Sequence, residues 1–210
     1  MPTVAVQHDI LHNVSKPSLR AQHVQETRAA LVAAARDLFG RKGYAATSVE
    51  TIAAEAGVTI GALYHHFRTK TALFESVFEQ LHIELLEVSG RAAASGTDPL
   101  DMLARAFEAF LDAVLEPAVQ RIAITDATAV LGLERYTELD EKYAFGAIVD
   151  ALKAARTQGA VSVKDPETVA RLLLGALTRG GMLIANSKEP RRTRNAVARS
   201  LRELLAGLAP

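Results

Sequence analysis

The sequence predicts an all-α protein, and three observations carry that reading. Apolar residues recur at helical spacing, and alternating β-type stretches are missing. Good helix formers dominate, Ala above all. Helix starts and stops are marked: Asp98-Pro99, Asp165-Pro166 and Glu189-Pro190 read as caps followed by a first-turn proline. Gly43, Gly96 and Gly159 sit where helices should end. With 49% hydrophobic residues in 210, the chain can bury a sizeable core.

Taken in order, residues 1–22 are polar and unpatterned, with Pro2 and Pro17. They read as a mobile tail; an arm reaching DNA through Lys16 and Arg20 is the functional alternative to plain disorder. Residues 24–42 form the first helix, with Leu31, Ala34, Ala35, Leu38 and Phe39 on its core face. Thr47 and Glu50 have capping-box spacing, so the second helix is expected to start at Thr47 and to bury Val49, Ile52 and Ala53. Gly57 suits a helix-ending positive φ, and Thr59 can cap a third helix from Ile60 to about Phe67. Two short helices joined by a tight glycine-containing turn describe a helix-turn-helix.

A fourth helix runs from Lys70 to about Ala94, with Leu73, Phe74, Val77, Phe78, Leu81, Leu85 and Val88 as its apolar stripe. Further helices are expected at about 98–115, 118–131, 134–157, 165–186 and 189–208, which makes nine. The expected organisation is a tail over 1–22, a DNA-binding head over 23–73 and a helical body over 74–210. The boundary near residue 73 falls inside a continuous helix, so that helix links the two parts.

Formal charge is balanced overall, with 24 basic and 24 acidic residues. Residues 1–73 hold eight Lys and Arg against five Asp and Glu, a net of +3, so the remainder carries −3. A basic end on an acidic body fits a DNA-binding head. The absence of Cys excludes disulfides, thiolate metal sites and Cys nucleophiles. No run of about 18 apolar residues and no secretory signal pattern is present, so no membrane span is expected and the location is read as cytoplasmic. HExxH, Walker and GxGxxG motifs are missing. The adjacent His65 and His66 point about 100° apart on a helix and cannot share a metal. No catalytic set, cofactor or metal is therefore expected.

Several residues in the helix-turn-helix break local rules together, which often marks a function. Gly61 lies in a predicted helix interior, where it costs roughly 1 kcal/mol against Ala. It lets another backbone come close. Lys70 places a cation in a first turn, against the helix dipole, where a phosphate would offset it. Thr47, Ser48, Tyr64, His65 and Lys70 are the candidates for phosphate or base contact. Thr59, Ile60, Gly61, Ala62 and His65 should form the groove-facing surface. For Tyr64 and Phe67 the alternative is a core aromatic, accepted here for Phe67.

The run from Gly43 to Leu73, G-Y-A-A-T-S-V-E-T-I-A-A-E-A-G-V-T-I-G-A-L-Y-H-H-F-R-T-K-T-A-L, resembles the DNA-binding domain of TetR-family transcriptional regulators. The likeness rests on Gly43-Tyr44, Thr47, Ile52-Ala53, Ala56-Gly57-Val58, Tyr64, Phe67, Lys70 and Leu73, and it covers about the first third of the chain. It implies an all-helical homodimer whose C-terminal domain binds a ligand that controls DNA affinity. By resemblance, Thr47, Tyr64 and Lys70 match phosphate-contacting positions. Ile60 departs from the polar or basic residue that many members carry there.

On that basis the chain reads as a repressor that a largely apolar small molecule releases from a near-palindromic operator. The alternative is a helical ligand-binding or scaffold protein that no longer binds DNA; a gel shift separates the two. The effector pocket is expected inside the body, around Phe78, Leu81, His82, Leu85, Ile122, Asp126, Tyr136 and Tyr143. His82 is either a polar pocket contact or a backbone-bonded histidine. Asp126 is either a ligand contact or half of an internal ion pair, with Arg121, Tyr136 and Tyr143 as candidate partners. The last two helices combine apolar and small residues. Leu173, Ala176, Leu177, Gly180, Val197, Leu201 and Leu204 are the candidates for a four-helix dimer interface.

Overall fold

The computed structural model describes residues 19–210; most of the expected tail, with Lys16 of the alternative arm, lies outside them. Within the described residues there are nine helices and no strand. The first, α1, spans Leu19–Lys42, so Arg20 belongs to a helix and not to a tail. Next come α2 (Val49–Glu55), α3 (Ile60–His66) and α4 (Lys70–Ala93). Helix α5 is Pro99–Ala113, α6 covers 117–131, α7 covers 133–157, α8 is Pro166–Ala185 and α9 is Pro190–Ala206.

The caps act as their chemistry requires. The Thr59 and Thr69 hydroxyls accept the N–H of Ala62 and Ala72, and Asp98 and Asp165 each accept two first-turn N–H groups. One cap differs from expectation. Ser48, not Thr47, closes the start of α2, accepting the N–H of Thr51 at 3.2 Å. Thr47 has turned inward, so no Thr47–Glu50 box forms. Gly96 makes the tight turn between α4 and α5, where an added Cβ would lie 2.6 Å from the Met102 backbone nitrogen.

Helices α6 and α7 each contain a wide, π-helical stretch, at Gln120–Asp126 and Glu141–Phe145. Such insertions are uncommon and cluster at functional sites. Here the first touches the end of α1, and the second supplies Tyr143 and Ala144 to a cavity.

One core runs from the head into the body. It joins Leu31, Leu38 and Phe39 of α1, Ile52 of α2, Leu63 of α3 and Phe74, Phe78 and Leu81 of α4 to Ile122 and Ala123 of α6 and Tyr136 and Leu139 of α7. A second core binds α5, the end of α7, α8 and α9 through Phe107, Leu111, Leu152, Leu177 and Leu201. By length and hydropathy α8 alone among the described residues could cross a membrane. In the fold it carries Leu173, Leu174, Leu177 and Ile184 into that second core.

Candidate DNA-binding surface and effector cavity

Helix α3 is fixed by Leu63 and by the Phe67 that follows it, both buried in the core shared with α1, α2 and α4. The opposite side presents Ile60, Gly61, Tyr64 and His65 to solvent, with Tyr64 47% exposed. Ala62 is half-buried, and the Thr59 hydroxyl is engaged as the cap. Gly61 lies in the first turn, not in a helix interior, and an added Cβ would meet nothing closer than Thr59 Oγ1 at 3.9 Å. The surface is open there, so its glycine relieves no internal crowding. Ser48 remains exposed, paired with Thr51 across 3.0 Å.

Two expected phosphate contacts are placed differently. Thr47 is 2% exposed, and its hydroxyl donates to the Gly43 carbonyl at 2.8 Å. Lys70 Nζ donates to the carbonyls of Tyr44 and Thr47 at 2.8 and 2.9 Å and lies 4.0 Å from the Tyr44 ring centroid. Burial holds its pKa below the ordinary lysine value. The cation that opposes the α4 dipole is thus matched by two carbonyl dipoles and a π face. Both side chains lock the turn between α1 and α2. Arg68, which sequence reasoning passed over, is exposed beside α3 with no hydrogen-bond or charge partner among the described residues. Its place in the short turn just after the second helix of the helix-turn-helix was the available signal.

Asp126 is not a cavity residue. Its Oδ2 accepts the backbone N–H of Tyr44 at 2.8 Å, next to Gly43, whose φ is +83°. Arg121, one π-helical turn earlier, donates to the Arg41 carbonyl at 2.6 Å instead of pairing with Asp126. The two side chains tie α6 to the end of α1. Ile122 sits in the shared core beneath them, and Gly40 packs against Ala118.

The body holds a half-open cavity of about 190 Å³ between α4, α5, α7 and α8. Of the expected residues, His82, Leu85 and Tyr143 line it. Phe78 and Leu81 share that face of α4 but lie nearer the head, where the core fills the space. Tyr136 packs on Phe78 and borders a separate surface groove with Arg171 and Met182. Burial, followed by the nearby Asp140 charge, pushes its hydroxyl pKa well up. The cavity draws instead on Met102, Ala106, Phe107 and Phe110 of α5, on Ala147 and Ala151 of α7, and on Leu177 and Thr178 of α8. The helical spacing of the α5 residues was visible in the sequence, but it marked burial, not a void.

The polar groups of the cavity are few. His82 Nδ1 bonds the Phe78 carbonyl at 3.0 Å, and its Nε2 lies 3.5 Å from Asp140 Oδ1. His82 is therefore backbone-bonded and also lines the cavity. Tyr143 donates to Glu79 at 3.0 Å, as does Lys142 at 2.8 Å. Burial pushes the Glu79 carboxyl up, but these two donors outweigh it and leave the pKa lowered.

The expected dimer residues divide. Leu173, Leu177, Gly180 and Leu201 are buried within the chain, and Gly180 abuts Val197. Leu204 is exposed, as are Leu172 at 69% and Leu183 at 48%. Together with half-buried Ala176, Leu172 and Leu183 make one outward stripe on α8 at i, i+4 and i+11.

A helix-turn-helix head joined by one long helix to a body with an apolar cavity defines a ligand-responsive DNA-binding regulator. The comparisons agree. Residues 31–77 match the family model described as bacterial regulatory proteins of the tetR family, and residues 100–208 match the tetracyclin repressor-like C-terminal domain. A crystal structure of a TetR-family transcriptional regulator from Pectobacterium atrosepticum is similar with a TM-score of 0.80 and 33% identity, covering 90% of this chain and 96% of that one. The Transposon Tn10 TetC protein of Escherichia coli is 26% identical over 80% of this chain and 85% of its own length. The regulator TtgR of Pseudomonas putida is 36% identical, but over 48% of this chain and 49% of its own. The chain belongs to the TetR family of transcriptional regulators. Regulators of this family bind DNA operators and small-molecule effectors and act as dimers.

Proposed function

We propose that the chain is a dimeric repressor, working in the cytoplasm, whose hold on DNA is set by a small molecule in the cavity between α4, α5, α7 and α8. The head, residues 23–73, would place Ile60, Gly61, Tyr64 and His65 in the major groove, with Ser48 and Arg68 beside the backbone. A two-fold dimer built on the outward faces of α8 and α9 would read a near-palindromic operator, with recognition helices roughly 34–36 Å apart. The lining, mostly apolar with His82, Ser89, Asp140, Tyr143 and Thr178 as its polar members, suits a largely apolar effector.

One observation supports this reading above the rest: α4 begins in the head, where Lys70 holds the turn before α2, and its His82, Leu85 and Gly90 line the cavity. A ligand that favours one angle of α4 shifts the recognition helix as a rigid unit. Filling the cavity with Ala106→Phe should leave operator binding in a gel shift intact and abolish release by the effector. Release at unchanged effector concentration by that variant would sink the assignment.

A further inference from the structure

The polar corner of the cavity has an acceptor problem. The Phe78 carbonyl can only accept, so His82 Nδ1 must carry the proton in their 3.0 Å contact. In the neutral ring Nε2 is then a lone-pair acceptor. It faces Asp140 Oδ1 at 3.5 Å, and no direct hydrogen bond joins them. Asp140 Oδ2 is already served by the Thr178 hydroxyl at 3.4 Å. Two acceptors, both on side chains less than a fifth exposed, therefore converge on one point of an apolar cavity. Such an arrangement calls for a donor from outside the chain.

We propose that the effector is a single-ring-sized apolar compound carrying a hydrogen-bond donor, either a hydroxyl that donates to one of His82 Nε2 and Asp140 Oδ1 or an ammonium that donates to both. The size follows from the volume. An apolar cavity of about 150 Å³ holds benzene, and this one is about 190 Å³, which leaves room for a short substituent. Phe107, Phe110 and Tyr143 line the cavity and supply aromatic surface to such a ligand. A carboxylate of the same shape brings no donor and sets a third acceptor beside Asp140, so the site rejects it. The inference rests on the cavity being the effector site.

The test uses the full chain without DNA, titrated by NMR with 2-phenylethanol, 2-phenylethylamine, phenylacetate and ethylbenzene. The alcohol or the amine should bind about tenfold tighter than ethylbenzene and at least tenfold tighter than phenylacetate. Which of the two donors binds better tells a neutral from a cationic effector. Asp140→Asn, which can donate, should bring the ratio of alcohol to phenylacetate affinity down about tenfold; if that variant does not fold, the wild-type ratios decide. Phenylacetate binding as tightly as the alcohol, or an unchanged ratio in a folded Asp140→Asn, overturns the donor inference and leaves the cavity assignment standing. If Ala106→Phe binds all four compounds as the wild type does, or the wild type binds none of them, the cavity assignment falls with it.

Discussion

The carboxylate of Asp126 accepts the backbone N–H of Tyr44 at 2.8 Å, joining a π-helical turn of the body to the turn that precedes the helix-turn-helix. With Arg121 on the Arg41 carbonyl, it gives the head a second anchor besides α4. Asp126→Ala leaves the Tyr44 N–H unpaired in a half-buried place. Stability should fall by about 1–3 kcal/mol. The response to effector should weaken more than DNA affinity, because Arg121 would then be the one polar tie left in the second anchor. Urea denaturation and effector titration of the DNA complex measure the two effects; a variant that keeps full induction contradicts the second-anchor role.

Lys70 and Arg68 should separate cleanly. Lys70→Met loses two carbonyl contacts and should cost about 1–2 kcal/mol in folding, with the salt slope of DNA binding unchanged. Arg68→Ala should alter stability by less than about 0.5 kcal/mol, while flattening the slope of log K against log salt by about one unit. The reverse pattern would return Lys70 to the DNA surface.

The dimer face is tested by contrast between neighbours on α8. Leu183→Glu changes an exposed position and should give a folded monomer by sedimentation, with operator binding lost. Leu177→Glu puts a charge into the second core and should destabilise the fold by about 3 kcal/mol or more. A Leu183→Glu protein that stays dimeric would move the interface elsewhere.

Acid should release one tie within the body. Asp101 of α5 is held at about pKa 2, first by the Arg105 hydrogen bond and then by Arg202 of α9 and the Thr97 N–H. A folded pKa below the unfolded value stabilises above about pH 4, and the gain disappears as pH falls through about 2. Comparing urea midpoints, Asp101→Asn should therefore trail the wild type at pH 7, and the gap should close between about pH 4 and pH 2. A gap that persists at pH 2 would mean that packing, not charge, sets the difference.

The nine helices, the Thr59, Thr69, Asp98 and Asp165 caps and the helix-turn-helix itself were legible in the sequence. Each is set by residues within about four positions of one another, which is the range over which helix periodicity and capping act. What those side chains meet depends on elements far away in the chain, and only the tertiary structure decided it. Lys70 looked free for a phosphate until the carbonyls of Tyr44 and Thr47, more than twenty residues earlier, closed on its ammonium. Asp126 looked like a cavity residue until α6 crossed the end of α1. On α8 the pattern is apolar on two faces, so periodicity could not say whether Leu172 or Leu173 faces outward. The packing of α5 and α9 buried Leu173 and left Leu172 in solvent, because each helix covers one face only.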